Sequence, residues 1–352
     1  MPLVDQLLEA LLEREGSDLH IIAGQPAKIR YNGKLDALTD EVIPRENIEE
    51  MLLEICTPEQ WDCFINDKEL DFAYEIKDVA RFRINYFLNY YGMAAIFHEI
   101  PIIPPVLEDL FLPDSLKTIC DSASGFFCIS GPTGSGKSTT LAAMINYINT
   151  NYNKYIITLE KPIEFIHKNK ESIIINREIG KHCKSYAKAL KNTMKSDVDV
   201  ILISDIQNSE TIDLALTCAS MGMLVLTSLN TRSITSTLKK IIDSFPDSKQ
   251  QQIKTMLAES IIGMSSQVLC NTKDERRIPA NEVLLWSEGL PNIIREFKLS
   301  SVKTIMESNK GIGMRSLDNS LKSLFNDGII TLEEAYSKAI NKKEFKELIV
   351  NS

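Results

Sequence analysis

The stretch Gly131-Pro-Thr-Gly-Ser-Gly-Lys-Ser138 constrains this chain more than any other. It follows a short apolar run at 126–129 and leads into a helical run at 139–148, so it reads as strand, glycine-rich turn and helix in that order. Glycines at 131, 134 and 136 let backbone N–H groups turn inward around a β-phosphate. Lys137 brings a cation to the β/γ charge, Ser138 offers a magnesium ligand, and the following helix adds the positive end of its dipole. The expected site for ATP and Mg2+ is therefore Gly131, Pro132, Thr133, Gly134, Ser135, Gly136, Lys137, Ser138 and Thr139, with Ser138 on the metal.

A strand that feeds such a loop needs parallel neighbours. Apolar runs at 155–159, 198–203 and 224–229 alternate with helical stretches, the pattern of an α/β sheet buried on both faces, and they set the core at 108–287. Nucleotide hydrolysis also requires an acid at the end of a neighbouring strand. Asp205 closes the run that starts at Asp199 and fills that role; Glu160 and Glu164 are further acidic candidates near the phosphates.

The flanks read differently. Val4, Leu7, Leu8, Leu11 and Leu12 recur at helical spacing, and Gly16 is expected to supply a left-handed cap. Short strands at 19–22 and 28–31 follow, with Asn32-Gly33 as a tight turn before Lys34, then a helix near 48–55 and an alternating strand through Phe82, Ile84, Tyr86 and Leu88. Residues 1–100 thus form a small α+β domain. Pro101, Pro104 and Pro105 exclude helix and central strand, which makes 101–107 a stiff linker. Residues 288–352 are a helical C-terminal region: Leu317, Leu321, Leu324 and Phe325 share a face, Gly328 ends that helix, and Thr331 with Glu334 predicts a capping box.

Composition removes several classes. The apolar runs fall far short of the ~20 residues a membrane-spanning helix needs, and the first dozen residues lack a secretory pattern, so no membrane span and a cytoplasmic location are expected. Seven cysteines without a C-x-x-C pair and four histidines without ligand spacing predict reduced thiols and no zinc site. A net charge of -9 disfavours a protein that grips nucleic acid through its phosphates.

Motifs along nearly the whole chain resemble the PilT-type retraction ATPases of type IV pili, within the secretion-ATPase superfamily. They are GSDLHIIAGQPAKIRYNG from Gly16, ARFRIN from Ala80, GPTGSGKSTTLAAM from Gly131, ITLEKPIEF from Ile157, INREIG from Ile175, SETIDLALT from Ser209 and GMRSLDNSLKSL from Gly313. The resemblance implies a PAS-like N-terminal domain, a RecA-like P-loop NTPase core and a helical C-terminal region. It further implies a hexameric ring, homo-oligomeric or mixed with a paralogous ATPase, at the pilus base, peripheral to the inner membrane and acting on a platform protein there. Glu160 and Glu164 fall in the acidic box of that family, and Arg81 and Arg83 in the segment that reaches across to the nucleotide as charge-stabilising arginines.

Several positions depart from the family pattern. Gly-Glu at the end of the Walker B strand is Ser204-Asp205 here, the next three residues are Ile206-Gln207-Asn208 in place of Met-Arg-Asp, and Lys161 replaces an Asp after Glu160. Met223 and Asn230 replace two histidines, and His98 replaces an arginine. GLPNIIRE from Gly289 keeps only the second half of the AIRNLIRE of retraction ATPases. Taken as one electrostatically coupled set, these changes imply altered turnover. Two readings follow: a retraction motor with reduced hydrolysis, or a non-hydrolysing subunit that regulates or stabilises a ring.

Overall fold

The computed structural model describes residues 2–31, 33–77, 79–274 and 276–351. They form two compact units. The first comprises Met1–Ile103 together with Lys161–Ile166, and the second comprises Pro104–Glu160 and His167–Ser352.

The first unit is built on an antiparallel sheet of β1 (Asp18–Ile22), β2 (Pro26–Tyr31), β3 (Lys34–Val42), β4 (Glu69–Ile76), β5 (Ala80–Asn89) and β6 (Gly92–Ile100), in the order β3-β2-β1-β6-β5-β4. Alternation in β5 buries Phe82, Ile84 and Tyr86 and leaves Leu88 exposed. Tyr86 takes its hydroxyl to the Leu52 carbonyl at 3.1 Å, so the largest buried side chain has its polar atom satisfied. Tyr31 pairs with Lys34 across a two-residue turn; Gly33 has φ +80°, while Asn32 lies outside the described residues. The helix Leu3–Glu13 ends otherwise than expected. Its left-handed residue is Glu15, and Gly16 instead packs close against Leu11, whose Cδ1 would have to shift from 2.5 Å to admit a Cβ there. A second device escaped the sequence reading: Thr57 and Gln60 form a full capping box at the start of the helix Pro58–Asp67.

The second unit carries β7 (Gly125–Ser130), β8 (Tyr155–Glu160), β9 (Ile173–Glu178), β10 (Val200–Ile203), β11 (Leu224–Leu229), β12 (Ile261–Asn271) and β13 (Arg277–Leu285), ordered β13-β12-β7-β11-β10-β8-β9. Six strands run parallel and β13 returns antiparallel beside β12. Every residue of β7, β10 and β11 is buried, which is why these strands appear as predominantly apolar runs, broken only by Ser130, Thr227 and Ser228. In the tail, Leu317 and Leu321 of the helix Leu317–Asn326 pack with Ile330 and Phe345 in a separate small core. Gly328 is left-handed beyond that helix, as its position predicts. The capping box is only half made. Thr331 accepts from the Glu334 N–H at 3.2 Å, but the Glu334 carboxylate accepts from the Asn271 N–H at 2.9 Å, at the end of β12. No helix among the described residues is long and apolar enough to cross a membrane.

One buried group sets a pH dependence. His167 is 4% exposed and its Nδ1 has no hydrogen-bond partner. Burial, aided by Lys170, lowers its pKa from 6.5 to about 4. Between those values the unfolded chain binds the proton and the folded chain does not, so stability falls as pH drops through this window. Between pH 7 and 5 the loss is about 2 kcal/mol. Chemical denaturation at pH 7 and pH 5 should show a smaller difference for His167→Leu than for wild type; equal differences would refute the assignment.

Candidate functional site

Register explains where the site lies. The parallel ladder sets Ser130 beside Leu229, Ile203 beside Thr227 and Ile203 beside Leu159, so β7, β11, β10 and β8 end along one edge. Ligands of open α/β sheets bind outside such carboxyl edges. The glycine-rich loop follows β7 there, Ser204 and Asp205 follow β10, and Glu160 is the last residue of β8.

The loop is folded as its sequence requires. Gly134 and Gly136 have φ of +77° and +83°, which other residues rarely adopt. A Cβ on Gly131 would lie 2.4 Å from both the Gln267 carbonyl and Ser135 Oγ. Lys137 Nζ donates to the carbonyls of Gly131 at 2.9 Å and Pro132 at 3.0 Å, so its ammonium lies over the loop. Ser138, in the first turn of the helix Lys137–Asn151, is exposed. This arrangement is a cradle of backbone N–H groups with one cation and one free hydroxyl, suited to phosphate oxygen.

Asp205 has one oxygen engaged and one spare. Its Oδ2 accepts from Gln207 Nε2 at 2.8 Å, whereas Oδ1 is buried without a hydrogen-bond partner. An orphaned buried carboxylate oxygen costs free energy unless a water, ion or substrate completes it. Burial pushes the Cys128 thiol of β7 up, and Asp205 and Lys137 act on it to a lesser degree, with opposite signs. Glu160 is buried beside them in sequence register, since the Ser204 N–H donates to the Leu159 carbonyl at 3.0 Å.

Two residues were not singled out from the sequence. Tyr186, which opens the helix Tyr186–Thr193, lies with its hydroxyl 2.9 Å from Ser204 Oγ. Burial raises its pKa to about 12, and the carboxylates of Asp205 and Glu160 push in the same direction. Gln267 of β12 donates to the Ser135 carbonyl of the loop at 2.6 Å. Its signal was a run of polar residues, Ser265-Ser266-Gln267, between apolar ones.

The other candidates gather in the first unit. Arg83 Nη1 donates to Glu164 Oε1 at 3.0 Å and its Nη2 lies 3.6 Å from Asp71. Arg81 is buried, donates to the Ile163 carbonyl at 3.3 Å and lies 3.6 Å from Glu75. Glu164 is therefore the ion-pair partner of Arg83, and these three residues belong to a unit separate from that of the loop, Asp205 and Glu160.

The family model for type II/IV secretion system proteins matches residues 111–335. The chain belongs to that family. A twitching motility protein of Neisseria gonorrhoeae is 38% identical over 90% of this chain and 84% of its own. The type IV pilus retraction ATPase PilT of Pseudomonas aeruginosa is 34% identical over 96% of this chain and 98% of its own. A crystal structure of the pilus retraction motor PilT with bound ADP superposes with a TM-score of 0.87, at 33% identity and 99% coverage of both chains.

Within this secretion-family fold, the departures noted in the sequence do not form one coupled set. Met223 precedes β11 and Asn230 follows it, seven residues apart, so roughly 20 Å of strand separates them. Only Asn230 lies at the loop end; Met223 accepts from the Gly125 N–H at the opposite end of β7. His98 belongs to the first unit, where its Nδ1 is 3.0 Å from Asp18. Asn208 caps the helix Ser209–Ser220 by accepting from the Thr211 N–H at 2.9 Å, and Ile206 is core. What remains beside the loop is Ser204, Asp205, Gln207 and Asn230.

Proposed function

We infer that the chain is an ATP-binding motor subunit of type IV pilus retraction, the machinery of twitching motility. The observation that carries this reading is the phosphate cradle at 131–139 with Asp205 and Glu160 at the ends of neighbouring strands of the same edge. Likeness to a retraction motor with bound ADP over 99% of both chains supports it. Lys137 and the loop N–H groups bind the β- and γ-phosphates, and Ser138 holds Mg2+, which when bound neutralises charge on the transferred phosphoryl oxygens. The spare Asp205 Oδ1 fits the role of orienting an attacking water, and Tyr186 with Ser204 fixes the backbone around it.

Arg83 stabilises phosphate charge when a neighbouring subunit presents it, while Arg81, buried and donating to the Ile163 carbonyl, holds the segment beside it, so each active site takes residues from two protomers. The working form is accordingly a hexameric ring, of this chain alone or mixed with a paralogous ATPase, on the cytoplasmic face of the inner membrane at the pilus base. Residues 1–100 act as the PAS-like arm, 108–287 as the RecA-like engine and 288–352 as the helical C-terminal region; the ring works on a membrane-embedded platform protein and not on nucleic acid. Light scattering tests the shared site. A non-hydrolysable ATP analogue should shift the protein to about six protomers, and a strict monomer at micromolar concentration with saturating analogue would overturn the motor reading.

A further inference from the structure

Gln267 is 1% exposed and lies on β12 one residue past Ser266, which pairs with Ser130 at the end of β7. That placement puts its side chain against the phosphate loop. Its Nε2 donates to the Ser135 carbonyl at 2.6 Å, and its Oε1 accepts from Thr140 Oγ1 at 3.0 Å and from Asn281 Nδ2 at 2.9 Å. A carbonyl oxygen only accepts, so the atom facing Ser135 must be the amide nitrogen and the side chain has one usable orientation. Thr140 and the fully buried Asn281 hold the other end of the amide in place.

The peptide between Ser135 and Gly136 is a planar trans unit whose C=O and N–H point in opposite directions. We propose that Gln267 is a positioning residue for the nucleotide: by holding the Ser135 carbonyl on its own side, it turns the Gly136 N–H away from itself and into the loop's concave face. Three observations converge on this. Gly136 N–H makes no hydrogen bond within the described residues. A Cβ on Gly136 would lie 2.9 Å from Gln267 Nε2, so the amide is packed directly against the peptide it orients. The backbone carbonyl of residue 267 comes as close to Gly131, since a Cβ there would lie 2.4 Å from it, so β12 is seated against the loop at this position. Gly136 is required by its φ of +83° and Gly131 by the approach of the β12 backbone. The inference rests on the reading of the loop as a nucleotide site and names the residue that sets one of its donors.

Titration with fluorescent ADP tests it, alongside melting temperature measured without nucleotide. Gln267→Met keeps length but removes donor and acceptor, and should weaken ADP binding about tenfold, the worth of one hydrogen bond whose donor is misdirected. Gln267→Glu keeps the two accepted bonds, loses the donor, and sets a carboxylate against the Ser135 carbonyl beside the phosphates. A loss of about 100-fold is expected. Ile253→Ala, in the core of the helix Asp247–Ser260, serves as a stability control: it should lower the melting temperature and leave affinity as in wild type. Wild-type affinity in both Gln267 variants would overturn the proposal. So would affinity losses that follow melting temperature across all three variants, which would make Gln267 a packing residue. Failure of wild type to bind ADP, or binding unchanged by Lys137→Ala, would strike the loop reading itself and is distinguishable from either result.

Discussion

Lys137→Ala is expected to raise the dissociation constant for Mg-ATP at least about 100-fold. The lysine is the only side-chain cation among residues 131–139, and its ammonium already lies 2.9 and 3.0 Å from two loop carbonyls, placed to exchange them for phosphate oxygens. Charge-assisted hydrogen bonds are worth about 1.5–3 kcal/mol each, and two of them account for the effect. The variant should remain folded, because the backbone of the loop is held by the Ser135–Gln267 bond and by the Gly131 N–H to the Leu229 carbonyl. Titration with a fluorescent ATP analogue, with a nucleotide-free melting curve as control, measures both. Equal affinities in wild type and variant would show that the loop does not bind phosphate here.

The second large effect concerns turnover. Asp205→Glu should raise steady-state phosphate release by about tenfold or more, and Asp205→Ala should bring it to background. Reach is the reason. An aspartate is one methylene shorter than a glutamate, and drawing a water-orienting carboxylate back by roughly 1 Å can cost on the order of 100-fold where alignment carries catalysis. Gln207 adds to the restraint by holding Asp205 Oδ2 at 2.8 Å. Asn230→His combined with Asp205→Glu should exceed the single change, since both positions lie at the loop end of the sheet and residues acting together are non-additive. Met223→His should contribute nothing because it lies at the other end of β11. Wild-type turnover equal to that of an ordinary family motor, with no gain from Asp205→Glu, would end this account.

The core strands and the loop were legible because one physical demand, burial on both faces, fixes each of them locally. Residues 126–129 are wholly apolar, and 155–159 and 224–229 are interrupted only by small hydroxyl side chains, of which Thr227 and Ser228 donate to the backbone at the end of the neighbouring strand. The hairpin of β12 and β13 was not legible, since Ser265, Ser266, Gln267 and Asn281 break its apolar pattern. Ser265 and Gln267 hydrogen-bond Asn281 across the hairpin, and Gln267 also donates to Ser135 of the loop, 132 positions away, a relation that no local window contains. Gly16 misled for a similar reason: glycine after a helix signals a left-handed turn or a close approach, and only Leu11 decides which. Counting Met223 and Asn230 in one coupled set failed because both flank β11, and a strand keeps its ends apart.

Arg81 and Arg83 belong to a unit completed by Lys161–Ile166, which supplies the Glu164 carboxylate and the Ile163 carbonyl they bind. On the ribosome, about 60 further residues must be added after position 103 before that segment exists, which at ~5–20 residues per second is a delay of roughly 3–12 s. The nascent sheet therefore emerges with Arg81 and Arg83 facing only Glu75 and Asp71 of β4, while Ile163 and Glu164 have not yet been synthesised. Part of the engine must be translated before the arm that precedes it in the gene can close, so the order of synthesis and the order of folding differ in this chain.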